Sequence, residues 1–121
     1  ARVQARMLSV SANLAAGDWP ALARTVKQEF WEMHSLFHTS QPPFTYWMPR
    51  SLDALQKCDT LELFTGTPVI TMDAGANLHF TVPRASAPEM AAFLSREFPD
   101  LEVLTDEISD TVTGASIRSI T

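Results

Sequence analysis

Apolar residues recur about every three to four positions through the first third of the chain, the period of a helix that buries one face. Val3, Met7, Val10 and Leu14 form such a stripe. Gly17 is placed to close this first helix and Asp18 to cap a second, because glycine tolerates the left-handed end conformation and a short carboxylate accepts from free first-turn amides. Trp19, Leu22, Ala23, Val26, Phe30, Met33 and Phe37 then continue the period, with Pro20 in the first turn, where a missing N–H costs little. The two segments are predicted to form a helical hairpin. Residues 38–50 lose the period and contain three prolines, Pro42, Pro43 and Pro49, beside Phe44, Tyr46 and Trp47. Rings of that size lose too much burial energy in water, so this loop is predicted to pack down beside a site. Ser51 is predicted to cap a third helix reaching to about Thr65, closed by Gly66.

The period then changes. Val69 to Met72 and Leu78 to Val82 are rich in β-branched and apolar residues and flank Asp73-Ala74-Gly75-Ala76-Asn77, a turn composition, so they read as a β-hairpin. Ser86 and Glu89 have the spacing of a capping box at the start of a fourth helix, with Met90, Phe93 and Leu94 inward and Pro99 past its end. Leu101 to Leu104 and Val112 to Ile120 read as two further strands. The expected fold is α+β, with helices packed on one face of a mainly antiparallel four-stranded sheet.

Composition narrows the function. A chain of 121 residues suits one compact domain, 1–121, and 45% hydrophobic with 19% charged residues is a globular balance. The net charge of −5 excludes the basic face of a nucleic-acid binder. Arg24, Lys27, Arg50, Lys57, Arg84, Arg96 and Arg118 are scattered, so strong polyphosphate binding would have to come from backbone amides or another domain. The single cysteine, Cys58, permits neither an intrachain disulfide nor a paired-cysteine metal site. No apolar run approaches the roughly 20 residues that span a bilayer, and no membrane partner is expected. The chain opens at Ala1 without an initiator Met, which leaves both a trimmed fragment and a stand-alone domain open.

The candidate chemistry centres on Asp73. A carboxylate where a strand gives way to a turn of small residues can point into a cleft and take a proton from a hydroxyl. Aspartate is equally favoured in turns because it bonds its own backbone amides, and spacing alone favours that structural role. His34 and His38 have the spacing of two metal ligands on one helix, but no third ligand accompanies them, so packed or solvated histidines are expected and no metal site. His79 stands alone in a strand. Cys58 reads as a small buried hydrophobe rather than a nucleophile. Thr113-Gly114-Ala115 reads as a plain turn.

Two segments carry more. Met33-His34 with Ser40-Gln41-Pro42-Pro43-Phe44-Thr45-Tyr46, and Phe64-Thr65-Gly66-Thr67-Pro68-Val69-Ile70-Thr71-Met72-Asp73-Ala74-Gly75-Ala76-Asn77, together resemble the diphosphomevalonate decarboxylases of the GHMP kinase superfamily. The resemblance is specific over about residues 33–47 and 66–79. It departs at Ala76, where many members carry proline, and at Ser35-Leu36-Phe37. It implies the C-terminal domain of a two-domain enzyme, a ferredoxin-like sandwich, whose N-terminal ATP-binding domain is absent from this chain. It implies Asp73 as the catalytic aspartate acting on the tertiary 3-hydroxyl of mevalonate phosphate or diphosphate, with Ala74, Gly75, Ala76 and Asn77 lining the substrate. ATP with Mg2+ would phosphorylate that hydroxyl in the full-length enzyme, phosphate would leave, and the C1 carboxylate would depart as carbon dioxide. No cofactor is expected on this domain alone, which should be inert by itself. A cytoplasmic homodimer is also implied. Two alternatives are a related GHMP small-molecule kinase domain and a non-catalytic binding or dimerisation module of the same fold.

Overall fold

The computed structural model describes residues 1–108. The expected strand at Val112 to Ile120 and the Thr113-Gly114-Ala115 turn lie outside the described residues.

Helix α1 runs over Arg2–Ala16 and α2 over Trp19–His38. The sharp reversal between them follows from two residues. Gly17 adopts φ 64°, a conformation open to glycine without a Cβ penalty, and its amide together with that of Asp18 closes on the carbonyls of Leu14 and Asn13. The Asp18 carboxylate then accepts from the Ala21 amide at 2.9 Å. Trp19 anchors the start of α2 by donating from its indole Nε1 to the Thr67 carbonyl at 2.8 Å.

The hairpin also forms as the pattern predicts. Strand β1, Val69–Met72, pairs antiparallel with β2, Leu78–Thr81, in the register Val69↔Thr81 to Met72↔Leu78. Side chains alternate along a strand, so Ile70 and Met72 share one side. They enter the main core with Phe30 of α2, Leu78 of β2 and Phe98, where they meet helices α3, Pro49–Asp59, and α4, Ala87–Glu97. Helix α3 contributes Ala54, Leu55 and Cys58, and α4 contributes Met90 and Leu94. Val69 joins a smaller cluster with Leu22 and Ala23.

Three expectations are corrected. Helix α3 begins at Pro49 and ends at Asp59, rather than running from a Ser51 cap to Thr65. Proline suits a first helical turn, which leaves Ser51 inside the helix and buried. Past Thr60 the chain folds into a tight turn, with Leu63 and Gly66 exchanging backbone hydrogen bonds and Gly66 at φ 105°. This brings Leu63 into the core. The Ser86–Glu89 capping box does not form. Ser86 closes a 3-10 turn over Arg84–Ser86, and its hydroxyl accepts instead from the Thr65 amide, while Glu89 accepts from the Phe64 amide. Those loop amides have no ladder partner, and the two side chains satisfy them. Finally, Leu101 to Leu104 contains a single bridging residue, Val103, and no strand, so the described residues hold two strands of the expected sheet, the fourth lying outside them.

Candidate functional site

Asp73 is the first residue beyond β1, where the hairpin ladder has ended. Its side chain is 86% exposed, and among the described residues no backbone amide donates to its carboxylate. The structural role that aspartate usually takes in a turn, bonding its own amides, is therefore not the one it plays here. The nearest cationic candidate is His79 of β2, whose Nε2 stands 3.8 Å from Asp73 Oδ2. Ala74, Ala76 and Asn77 are exposed, and Gly75 takes φ 154° with open space where a Cβ would sit. The turn is thus slim, and it presents one carboxylate to whatever approaches.

The backbone on either side of this tip is gripped from below. His34, fully buried on α2, donates from Nε2 to the Met72 carbonyl at 3.1 Å, one residue before Asp73. A carbonyl oxygen only accepts, so this ring carries its proton on Nε2. Ser51, buried on α3, donates from its hydroxyl to the Ala76 carbonyl at 2.8 Å. The His34 ring is packed by Phe30 at 4.7 Å, by Phe37 at 5.2 Å and by Trp47 at 5.7 Å in a stacked arrangement. The aromatic loop 38–50 folds back as expected. Phe44 stacks on Phe37, and Trp47 reaches His34 and His38. The two segments that carry the family resemblance are thereby in direct contact.

Helix α2 does continue through His34 and His38, but each ring is committed elsewhere. His38 Nε2 lies 3.3 Å from the Thr45 hydroxyl, and no group of three His, Cys, Asp or Glu among the described residues could hold a metal. Cys58 is buried in the main core. Burial pushes its thiol up to about 12, against a small opposing effect of Lys57, which leaves it unreactive at neutral pH. The cavity beside Asn77 measures about 160 Å3 and is lined by Met48, Arg50, Ser51, Ala76 and Leu101 among others. That is well below the roughly 300–1,000 Å3 of small-molecule pockets. Arg50 at its edge is held by Asp53 and Asp100. A larger groove of about 850 Å3, lined by Phe80, Val82, Met90 and Val103 among others, contains none of the predicted site residues.

Comparison with known proteins places this geometry in context. No family model and no curated protein matches the chain. Solved structures do. One is the mevalonate diphosphate decarboxylase from Enterococcus faecalis, described as showing a mevalonate diphosphate mediated ATP binding mechanism, 28% identical with a TM-score of 0.71 over 79% of this chain and 30% of that one. This chain is thus similar in structure to mevalonate diphosphate decarboxylases. A second match, described as MDDEF in complex with MVAPP, has a TM-score of 0.72 at 28% identity over 78% of this chain and 29% of that one. A third, with MVAPP, AMPPCP and magnesium, has a TM-score of 0.69 at 28% identity and the same coverage. The chain thus spans less than a third of these decarboxylases and matches their C-terminal part. Among the described residues no helix is long and apolar enough to cross a membrane.

His34 and Ser51 are the site residues that the sequence did not single out correctly. His34 was visible as a neighbour of Met33 in the first resembling segment, and Ser51 only as a helix cap. Nothing in their local spacing links them to carbonyls 38 and 25 residues away.

Proposed function

We propose that this chain is the C-terminal domain of an ATP-dependent decarboxylase that converts a phosphorylated mevalonate to an isopentenyl phosphate, with Asp73 as its catalytic carboxylate. The observation that supports this reading is the state of Asp73. It is exposed, unbonded by its own turn and mounted on a braced hairpin, in a chain whose structural relatives are mevalonate diphosphate decarboxylases.

The chemistry suits a carboxylate. A tertiary hydroxyl is a poor nucleophile, and a nearby base that accepts its proton as the phosphoryl group arrives lowers the barrier. Once phosphate departs, the developing positive charge at the same carbon is stabilised by a fixed negative group. Ala74, Gly75, Ala76 and Asn77 keep the approach open for the substrate. The remainder of the longer protein supplies the site for ATP with Mg2+ and the opposite wall of the cleft, so this domain alone does not turn over.

The test is the full-length protein assayed with ATP and mevalonate diphosphate, following carbon dioxide release. Asp73→Asn should lower kcat by about 10^2- to 10^4-fold, the usual contribution of a positioned acid–base group, with an unchanged melting temperature. Wild-type turnover in that variant would remove Asp73 from the mechanism.

A further inference from the structure

Three polar side chains are buried among the described residues: His34, Ser51 and Ser86. Each could be replaced by an apolar residue with no desolvation cost, so what each one bonds to indicates what it contributes. Ser86 holds the Thr65 amide in the loop before β1. The other two converge on one five-residue turn, from two different helices.

We infer that His34 and Ser51 are positioning residues that fix the direction of the Asp73 carboxylate by gripping the carbonyls on either side of it. The inference rests on the proposed role of Asp73 and adds to that role the means by which it is held. The ladder between β1 and β2 stops at the Met72↔Leu78 pair. Beyond it, the bonds to Met72 and Ala76 leave only Asp73, Ala74 and Gly75 between two fixed points. Gly75, at φ 154° with nothing near its missing Cβ, would otherwise let this segment sample several conformations. Met72 itself is seated in the core, but from Asp73 to Gly75 the only further restraint is His79, 3.8 Å from the Asp73 carboxylate.

The identity of residue 34 supports the same role. Packing alone would be better served by phenylalanine, because His34 Nδ1 is buried with no hydrogen-bond partner among the described residues. The imidazole retains that cost and makes one bond, to Met72. Its ring is fixed by Phe30, Phe37 and Trp47, so the Nε2–H cannot swing away. A misplacement of a reacting group by about 1 Å can cost about 10^2-fold in rate, so a brace of this kind has kinetic consequences without touching substrate.

The experiment uses the full-length protein with four variants and Asp73→Asn as the reference. His34→Phe fills the space without the donor, His34→Gln keeps an N–H of similar reach, Ser51→Ala removes the hydroxyl, and Ser51→Thr retains it. Two readouts are taken: kcat and KM with ATP and mevalonate diphosphate, and hydrogen exchange of peptides covering residues 73–77. His34→Phe and Ser51→Ala should each lower kcat about tenfold or more with little change in KM, and should speed exchange in the turn. His34→Gln and Ser51→Thr should recover both. Wild-type kcat and unchanged exchange in His34→Phe and Ser51→Ala, beside an inactive Asp73→Asn, would overturn the bracing role and leave the proposed function standing. An active Asp73→Asn would instead defeat the proposed function, and the exchange data would still decide whether the turn is braced. Losses that follow melting temperature and are not restored by the conservative variants would reduce both residues to structural ones. Should His34→Phe not fold, Ser51→Ala decides the question with the loss of a single oxygen.

Discussion

Along α1 the apolar positions Val3, Met7 and Leu14 remain 61%, 62% and 60% exposed, whereas α2 buries Leu22, Ala23, Phe30 and His34. The two helices carry the same period, and the difference lies in what stands opposite each. Helix α2 faces β1, where Val69 packs with Leu22 and Ala23 while Phe30 joins the main core. Helix α1 faces α2. Only Val10 of its stripe packs against a buried cluster, and the contact is carried by Arg2 and Arg6 reaching Glu29 and Glu32. One helix is seated by burial and the other is clasped by charge. Periodicity announces a helix and its apolar face. It does not say whether the partner for that face is present.

The sharpest way to break this contrast is Phe30→Ala. Its ring is 3% exposed within the main core, so truncation should cost about 3–5 kcal/mol in denaturant unfolding, the range for emptying a buried aromatic site. A loss near zero would mean that α2 is not the seated helix. A smaller effect should follow from acid. Hydrogen bonds from Arg2, then Arg6, hold the Glu32 carboxyl below its ordinary value of 4.5. A depressed folded value stabilises above the unfolded one and ceases to do so as pH falls through the folded one. Lowering pH from 4.5 should therefore reduce the exchange protection of α1 amides before those of α2, and added salt should act in the same direction because the pairs are only partly shielded from water. Simultaneous loosening of the two helices would erase the distinction. The smallest effect belongs to Met7→Ser, which should change stability by no more than about 0.5 kcal/mol as an exposed substitution outside any cap or network. A larger loss would show that the α1 stripe is covered after all.

The same reasoning separates what the sequence made legible from what it did not. Gly17 and Asp18 announced the α1–α2 reversal because an αL end and a side-chain cap are local events. The hairpin was legible from β-branched residues on both sides of a small-residue turn. The ends of α3 were not, because Pro49 could serve equally as the end of a loop or the start of a helix, and because Leu63 leaves the helical course to fill the core. Ser86 and Glu89 had the spacing of a cap, but the amides of Phe64 and Thr65 needed acceptors and took both. At the site, Asp73 could be read as a turn residue and became a catalytic candidate only through resemblance. The bonds of His34 and Ser51 to its turn join distant stretches of chain, and no period or spacing encodes them.

Cys58 has a practical consequence of a different kind. The chain holds one thiol, and its burial keeps that thiol protonated and out of reach at neutral pH. This chain is therefore already a silent background for thiol-directed labelling. A cysteine introduced at exposed Ala74 would be the one position in this chain that a maleimide probe finds, and its spectrum would report the motion of the turn next to Asp73 with every native core residue left in place.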